Sequence, residues 1–275
     1  MARRLINRHP SRIGLIYLGL LPFVILIVLY ATGSAIRLAD NPADKLLPGF
    51  AALGDAVARV AFRADPRTGM VLLWADTAAS LMRIGIGLAA ATALALVVGI
   101  ANGLLPYVRA GLSPLVAVIS MIPPMAVLPI LFIIFGLDEL SKVVLIVIGV
   151  TPFLMRDLQA RVLEMPAEQL IKAQTLGASS WQIVLRVVLP QMLPRLIDSV
   201  RLSLGPAWLF LISAEAIAAE VGLGYRIFLV RRYLAMDVIL PYVAWITLLA
   251  LLCDVALRLL NRRLFPWMDA GRRSA

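Results

Sequence analysis

The sequence predicts an all-α, polytopic membrane protein with about six transmembrane helices. Three observations predict this. The 275 residues are 61% hydrophobic and only 15% charged, with a mean hydropathy of +0.93. A soluble domain of that length has too little interior to hide so much apolar surface. Charge-poor runs recur at lengths near the ~20 residues that a helix needs to cross hydrocarbon. The basic residues behind the net charge of +10 flank these runs rather than forming a patch with interleaved aromatics. That distribution sets topology in a membrane and does not suit nucleic acid.

The first run, Ile13 to Gly33, is uncharged and follows Arg3, Arg4, Arg8 and Arg12. It exceeds the ~7–15 apolar residues of a cleaved signal peptide, so a retained helix is expected. Residues 34–75 are mixed. Within them Leu46, Leu47, Phe50, Leu53, Val57 and Val60 recur at helical spacing, with Lys45, Asp55, Arg59 and Arg63 elsewhere on the wheel. This predicts an amphipathic helix on the outer membrane surface, followed by a turn at Asp65-Pro66-Arg67-Thr68-Gly69.

Thr77 to Ala101 is apolar except for Arg83, and its Gly85-x-Gly87-x-Ala89-Ala90-Ala91 stretch is small enough for close helix packing. Ala110 to Leu137 has no charge but contains Pro114, Pro123, Pro124 and Pro129. Val143 to Met155 lies between Lys142 and Arg156, Leu202 to Ala214 leads into Glu215, and Val238 to Cys253 runs into Asp254 and Arg258. The predicted spans are 13–33, 77–103, 110–135, 139–156, 193–216 and 238–261, the third and fifth interrupted by proline. An even number puts both termini on one side. Taking that side as cytoplasm assigns it sixteen Lys and Arg against nine outside, with Arg83 unassigned and Arg231-Arg232 an outside exception. There is no convincing internal repeat, which argues against a two-halved secondary transporter.

The inventory excludes much chemistry. A lone cysteine, Cys253, forms no intramolecular disulfide, and a lone histidine, His9, lies in the N-terminal tail. No histidine-based metal site or Ser-His dyad is available within the spans, and neither G-x-x-x-x-G-K-[ST] nor G-x-S-x-G occurs. No catalytic residue, metal ligand or bound cofactor is therefore predicted for this chain.

Between the fourth and fifth spans lies "IKAQTLGASSWQIVLRVVLP", Ile171 to Pro190. Pro166 suits the first turn of a helix and Glu168 its positive end. Gly177 suits a left-handed cap, and Ser179-x-x-Gln182 has the form of a capping box for a second helix that ends at Leu189-Pro190. Each piece is ~15 Å long, too short to span a bilayer. Ala173 and Gly177, four apart, offer one bare face for a partner backbone; alternatively the glycine only turns the chain.

Ala173, Gly177, Val187, Leu189 and Pro190 fit the pattern A-x-x-x-G-x(9)-[IV]-x-L-P, which resembles the coupling-loop motif of ABC importer permeases. "MIPPMAVLPILFIIFGLDELSK", Met121 to Lys142, and "GPAWLFLISAEAIAAEVGLGY", Gly205 to Tyr225, resemble segments of the taurine/nitrate/sulfonate branch of that family. The resemblance covers roughly residues 70–265. One departure is Ile171-Lys172 where the family usually has Glu-Ala; Glu168, one turn earlier, is the candidate substitute.

The resemblance implies the type I ABC importer permease fold, with a permease core over 71–265, a cytoplasmic coupling hairpin over 160–190, an N-terminal unit over 1–70 and a cytoplasmic tail over 266–275. It implies a bacterial inner-membrane protein, non-catalytic itself, that works with a cytoplasmic ATPase dimer carrying ATP and magnesium. An external or periplasmic substrate-binding protein and a second permease copy complete the assembly. The implied ATPase-coupling residues are Glu168, Lys172, Ala173, Leu176, Gly177 and Ala178. The solute class implied is a sulfonate, nitrate or related small polar compound, with "RYLAMDVILPYVAWIT", Arg232 to Thr247, pointing to urea- or guanidine-type solutes. A stand-alone channel or ion-coupled carrier is the competing reading.

Physical reading adds candidates for the pathway. Pro123, Pro124, Pro129 and Pro206 disturb helical hydrogen bonds, and irregular backbone at membrane depth belongs beside protein or a watery cavity; simple packing kinks are the other possibility. Glu215 and Arg83 are ionisable groups either at membrane depth or at headgroup level, and are able to pair. Asp254 and Arg258 read as a structural i,i+4 ion pair. Trp181, Trp208, Trp245 and Trp267 read as interface anchors or core residues.

Overall fold

The computed structural model describes residues 11–42, 44–66 and 68–267. Arg3, Arg4, Arg8, His9, Arg67, Arg272 and Arg273 lie outside those residues, as does the side chain of Arg12. Among the described residues every regular element is helical. Four helices are long and apolar enough to cross a membrane, and two bent pairs each qualify as one broken span, which gives up to six.

Helix α1 (Arg12–Asp40) begins at Ser11, whose side chain accepts from the Gly14 N–H at 3.1 Å. It outruns the predicted span because apolarity ends at Gly33 while the first helix-stopping pair is Asn41-Pro42. Most of α1 is exposed, and it is tied down at one end. Tyr30 donates to the Pro48 carbonyl at 2.6 Å and Ser34 to that of Leu47 at 3.0 Å. Helix α2 (Phe50–Phe62) is the predicted amphipathic segment, shortened: Leu46 and Leu47 precede it. It buries Ala56 and Ala61, while Arg59 pairs with Asp237 at 2.9 Å.

Helices α3 (Leu72–Leu104) and α6 (Glu139–Leu163) form the most extensive helix pair. Their seam is a run of small residues four apart on α3: Gly87, Ala91, Ala95, Gly99 and Gly103, all buried. A Cβ on Gly87 would lie 2.9 Å from Ile146, one on Gly99 3.0 Å from Leu158, and Gly103 is pressed against Val162. The predicted packing face is thereby corrected. Gly85 and Ala89 point away, because two residues turn an α-helix by about 200°.

Helices α4 (Pro106–Ile119) and α5 (Pro124–Phe135) form the third span, bent by 93°. Pro123 caps α5 and Pro124 occupies its first turn, so neither supplies the N–H that would continue α4. Helices α9 (Leu189–Leu202) and α10 (Leu204–Ala218) form the fifth, the break falling at Ser203. Pro206 explains that position: it offers no N–H to Leu202, one turn back, and its ring crowds that carbonyl. Helix α11 (Leu223–Arg231) is short, and α12 (Met236–Leu264) is the last span.

Asp254 pairs with Arg258 at 2.7 Å as its spacing predicts, and also with Arg201 at 2.9 Å, which ties α12 to α9. Trp208 is buried, and Trp245 donates to Thr77 at 2.9 Å, so both are core residues; Trp181 and Trp267 are exposed.

Candidate functional site

The hairpin after α6 is built from local rules. Helix α7 (Ala167–Thr175) starts after Pro166 and carries Glu168 in its first turn and Lys172 in its last. Gly177 has φ +79°, a conformation that costs a non-glycine residue about 1–2 kcal/mol. Its N–H donates to Gln174 at 2.9 Å, and the next N–H, of Ala178, reaches back to Ala173 at 3.0 Å. This pair of bonds is a Schellman cap, in which the residue after the glycine packs on the one three positions before the cap. The sequence reading is corrected here. Ala173 does not join Gly177 in a bare outer face; with Ala178 it turns inward onto the core, while nothing lies within 4 Å of a Cβ on Gly177.

Helix α8 (Ser180–Ile183) opens with the predicted capping box. The Gln182 N–H donates to Ser179 Oγ at 3.3 Å and the Ser179 N–H to Gln182 Oε1 at 2.8 Å. The predicted stop at Leu189-Pro190 is absent. The chain passes through a π-turn, Val184–Val188, straight into α9, the Leu189 N–H bonding to Val184 five residues back. The wider turn makes room for the Pro190 ring, which would otherwise clash with the carbonyl four residues earlier. The helical stretch from Ser180 to Leu202 is thus one arm. Gln191 holds α7 against it, donating to Gln169 at 3.0 Å. The hairpin's surface carries large apolar side chains: Leu176 is 87% exposed and Trp181 68%.

The α4–α5 break opens a cavity of about 550 Å³, with Ser120, Pro124, Gly149, Pro152, Arg156 and Phe210 among its walls. Of the predicted pathway prolines only Pro124 lines it; Pro123, Pro129 and Pro206 are exposed elsewhere.

At the far end of the bundle, charge is buried. Arg83 Nη1 lies 2.7 Å from Glu215, a pairing left open by sequence. Glu215 is fully enclosed and so lines no cavity; it also accepts from Ser80 at 2.8 Å and from the Gly224 N–H at 2.9 Å. Arg83 extends to Glu139 and to the Val221 carbonyl at 2.8 Å, and reaches the wall of a cavity of about 740 Å³. Lys142 shares Glu139 at 3.0 Å. Beside this lies Asp76, which accepts from Arg226 at 2.8 Å, from Tyr242 at 3.1 Å and from the Gly222 N–H at 3.0 Å. The network joins α3, α6, α10, α11 and α12. Sequence reasoning missed Asp76, Ser80, Glu139 and Arg226. The signal was there in part: Asp76, Ser80 and Arg83, spaced four and three apart, share a face of α3.

An all-α bundle with broken spans and a structured hairpin between two of them defines a polytopic membrane protein. The chain belongs to the family of binding-protein-dependent transport system inner membrane components, which it matches over residues 84–269, and within it to the taurine/nitrate/sulfonate branch of ABC transporter permeases. The taurine transport system permease protein TauC of Escherichia coli (strain K12) is 40% identical over 195 residues, 71% of each chain. The putative aliphatic sulfonates transport permease protein SsuC of Bacillus subtilis (strain 168) is 30% identical over 198 residues, 70% of this chain and 69% of that one. An inward-facing structure of the MetNI methionine ABC transporter contains a chain that superposes with a TM-score of 0.57 at 22% identity, covering 70% of this chain and 93% of that one. That likeness is one of fold, the type I ABC importer permease fold. The protein is a multi-pass inner-membrane transport component.

Proposed function

We propose that this chain is the membrane-spanning subunit of an ATP-driven importer for a small sulfonate-type solute, worked from the cytoplasm through the hairpin at 166–189. The observation that carries the reading is the hairpin itself: doubly capped, tied to α9, and exposing Leu176 and Trp181 to the outside of the bundle. Exposed apolar side chains rimmed by Glu168, Lys172 and Thr175 suit a protein partner. A separate ATPase dimer, holding ATP and magnesium, receives α7 in a groove. Closure of that dimer pushes on the arm from Ser180 to Leu202, about 35 Å long at ~1.5 Å per residue, which turns about the break at Ser203. A second copy of the permease and a substrate-binding protein complete the assembly, with both termini cytoplasmic. The non-catalytic role follows from the missing nucleotide-binding motif. The names of the taurine and sulfonate relatives favour a small sulfonate over nitrate or urea-type solutes; measuring which ligand the partner binding protein takes tests that directly.

Gly177→Leu is expected to insert normally yet lose most ATP-driven uptake and much of its co-purification with the ATPase, because leucine disfavours the left-handed backbone. Gly177→Asn, which tolerates that conformation, is expected to keep most of both. Full coupling in Gly177→Leu and in Leu176→Asp together would refute the docking role. Sidedness has its own check. In a Cys253→Ala background, Thr175→Cys should react with a membrane-impermeant maleimide in inside-out vesicles and stay unlabelled in right-side-out ones.

A further inference from the structure

The geometry points to the cavity at the α4–α5 break as an anion subsite on the transport path, with the Arg156 guanidinium as its recognising group and a small oxyanion such as an alkanesulfonate as its ligand. This rests on the transport reading and adds to it a place and a residue. Arg156 follows Glu139 by seventeen positions on α6, about 26 Å at ~1.5 Å per residue, so the two sit near opposite faces of the hydrocarbon. Arg156 is exposed on the wall of the cavity. Among the described residues no carboxylate pairs with it: its one hydrogen bond is from Nη1 to Ser120 Oγ at 2.9 Å. The Ser120 hydroxyl proton is itself committed to the Ala117 carbonyl at 2.7 Å, so Ser120 only accepts, and the remaining guanidinium N–H groups stay available.

The adjacent acid lines the same cavity but is engaged elsewhere. Asp157 accepts from Ser199 with one oxygen and faces Arg161 Nε at 3.6 Å with the other. Pro124, in the first turn of α5, adds the positive end of that helix to the same wall. The outer cavity beside Arg83 is different, since Arg83 and Lys142 are already matched there by Glu139 and Glu215. An oxyanion entering the α4–α5 cavity meets the planar donor fork of Arg156, the geometry that arginine offers to sulfonate-like oxygens, beside an Asp157 whose oxygens face Ser199 and Arg161.

The alternative role for Arg156 is a brace that holds the break through Ser120. Equilibrium binding of radiolabelled ethanesulfonate to the purified permease–ATPase complex, without binding protein, separates the two. Saturable binding is expected, competed by other alkanesulfonates and not by uncharged dimethyl sulfone. Arg156→Gln is expected to weaken it about tenfold or more, Arg156→Lys by only a few-fold, and Ser120→Ala hardly at all. Wild-type affinity in Arg156→Gln, an equal loss in Ser120→Ala, or no saturable binding to the wild-type complex overturns the subsite. Failure of the complete system, binding protein included, to take up sulfonate with ATP overturns instead the reading on which it rests.

Discussion

Replacing Glu215 with alanine should markedly destabilise the bundle at the end opposite the hairpin. Glu215 is fully buried and answers three donors from two other parts of the chain, Ser80 and Arg83 on α3 and the Gly224 N–H at the start of α11. Removing one partner of a buried ion pair costs about 3–5 kcal/mol, because the other charge stays buried without its answer. Arg83 keeps Glu139, whose side chain is 60% exposed, so the loss falls toward the lower end of that range. Glu215→Gln restores the shape but turns an N–H toward donors, and should fall between wild type and alanine. The readout is the apparent melting temperature of the detergent-solubilised protein, followed by size-exclusion chromatography. Unchanged melting in both variants would show that the charges are not what clamps these helices.

Gly103→Ala should push α3 and α6 apart at the end nearest the hairpin. The added methyl meets the Val162 side chain inside any permitted contact distance, and Val162 is buried with no open side to turn toward. Overpacking of this kind costs about 1–3 kcal/mol when only side chains yield, and more when helices must move. The decisive measurement is the double variant. Val162→Ala alone removes packing, yet with Gly103→Ala it makes room, so the pair should be more stable than the two single effects predict. A coupling of about 0.5–3 kcal/mol in that direction is expected for residues in contact. Additive losses would mean that the close approach at Gly103 is not what sets the helix separation.

Much of the fold was legible from local chemistry. The capping box at Ser179 and Gln182 and the left-handed Gly177 obey rules that reach only a few residues, so sequence suffices to see them. What failed failed for want of neighbours. Leu189-Pro190 reads as a stop, and became the interior of a continuous arm because a π-turn absorbed the ring. Gly85 and Gly87 look equivalent on paper, but only Gly87 has α6 beside it. Ala173 and Gly177 share a helix face on paper, but Ala173 is half-buried against the core while Gly177 is open. At the end opposite the hairpin, Asp76, Ser80 and Arg83 announce a polar face on α3, while nothing in their spacing says that Glu215, Glu139 and Arg226 would come to meet it.

Composition and spacing alone decided that this chain lives in a bilayer, where its helices lie, that it carries no nucleotide-binding motif, and which segment folds as a capped hairpin between two spans. These are properties of single stretches, governed by hydrophobic length and by hydrogen bonds within a turn or two. Tertiary packing decided which arginine is matched and which is not. Arg83 and Arg156 are alike as residues near the ends of apolar runs; the first is met by two carboxylates from other helices and the second only by a serine hydroxyl at a helix break. Charge pairing depends on distances across the bundle, and those exist only once the helices have chosen their neighbours.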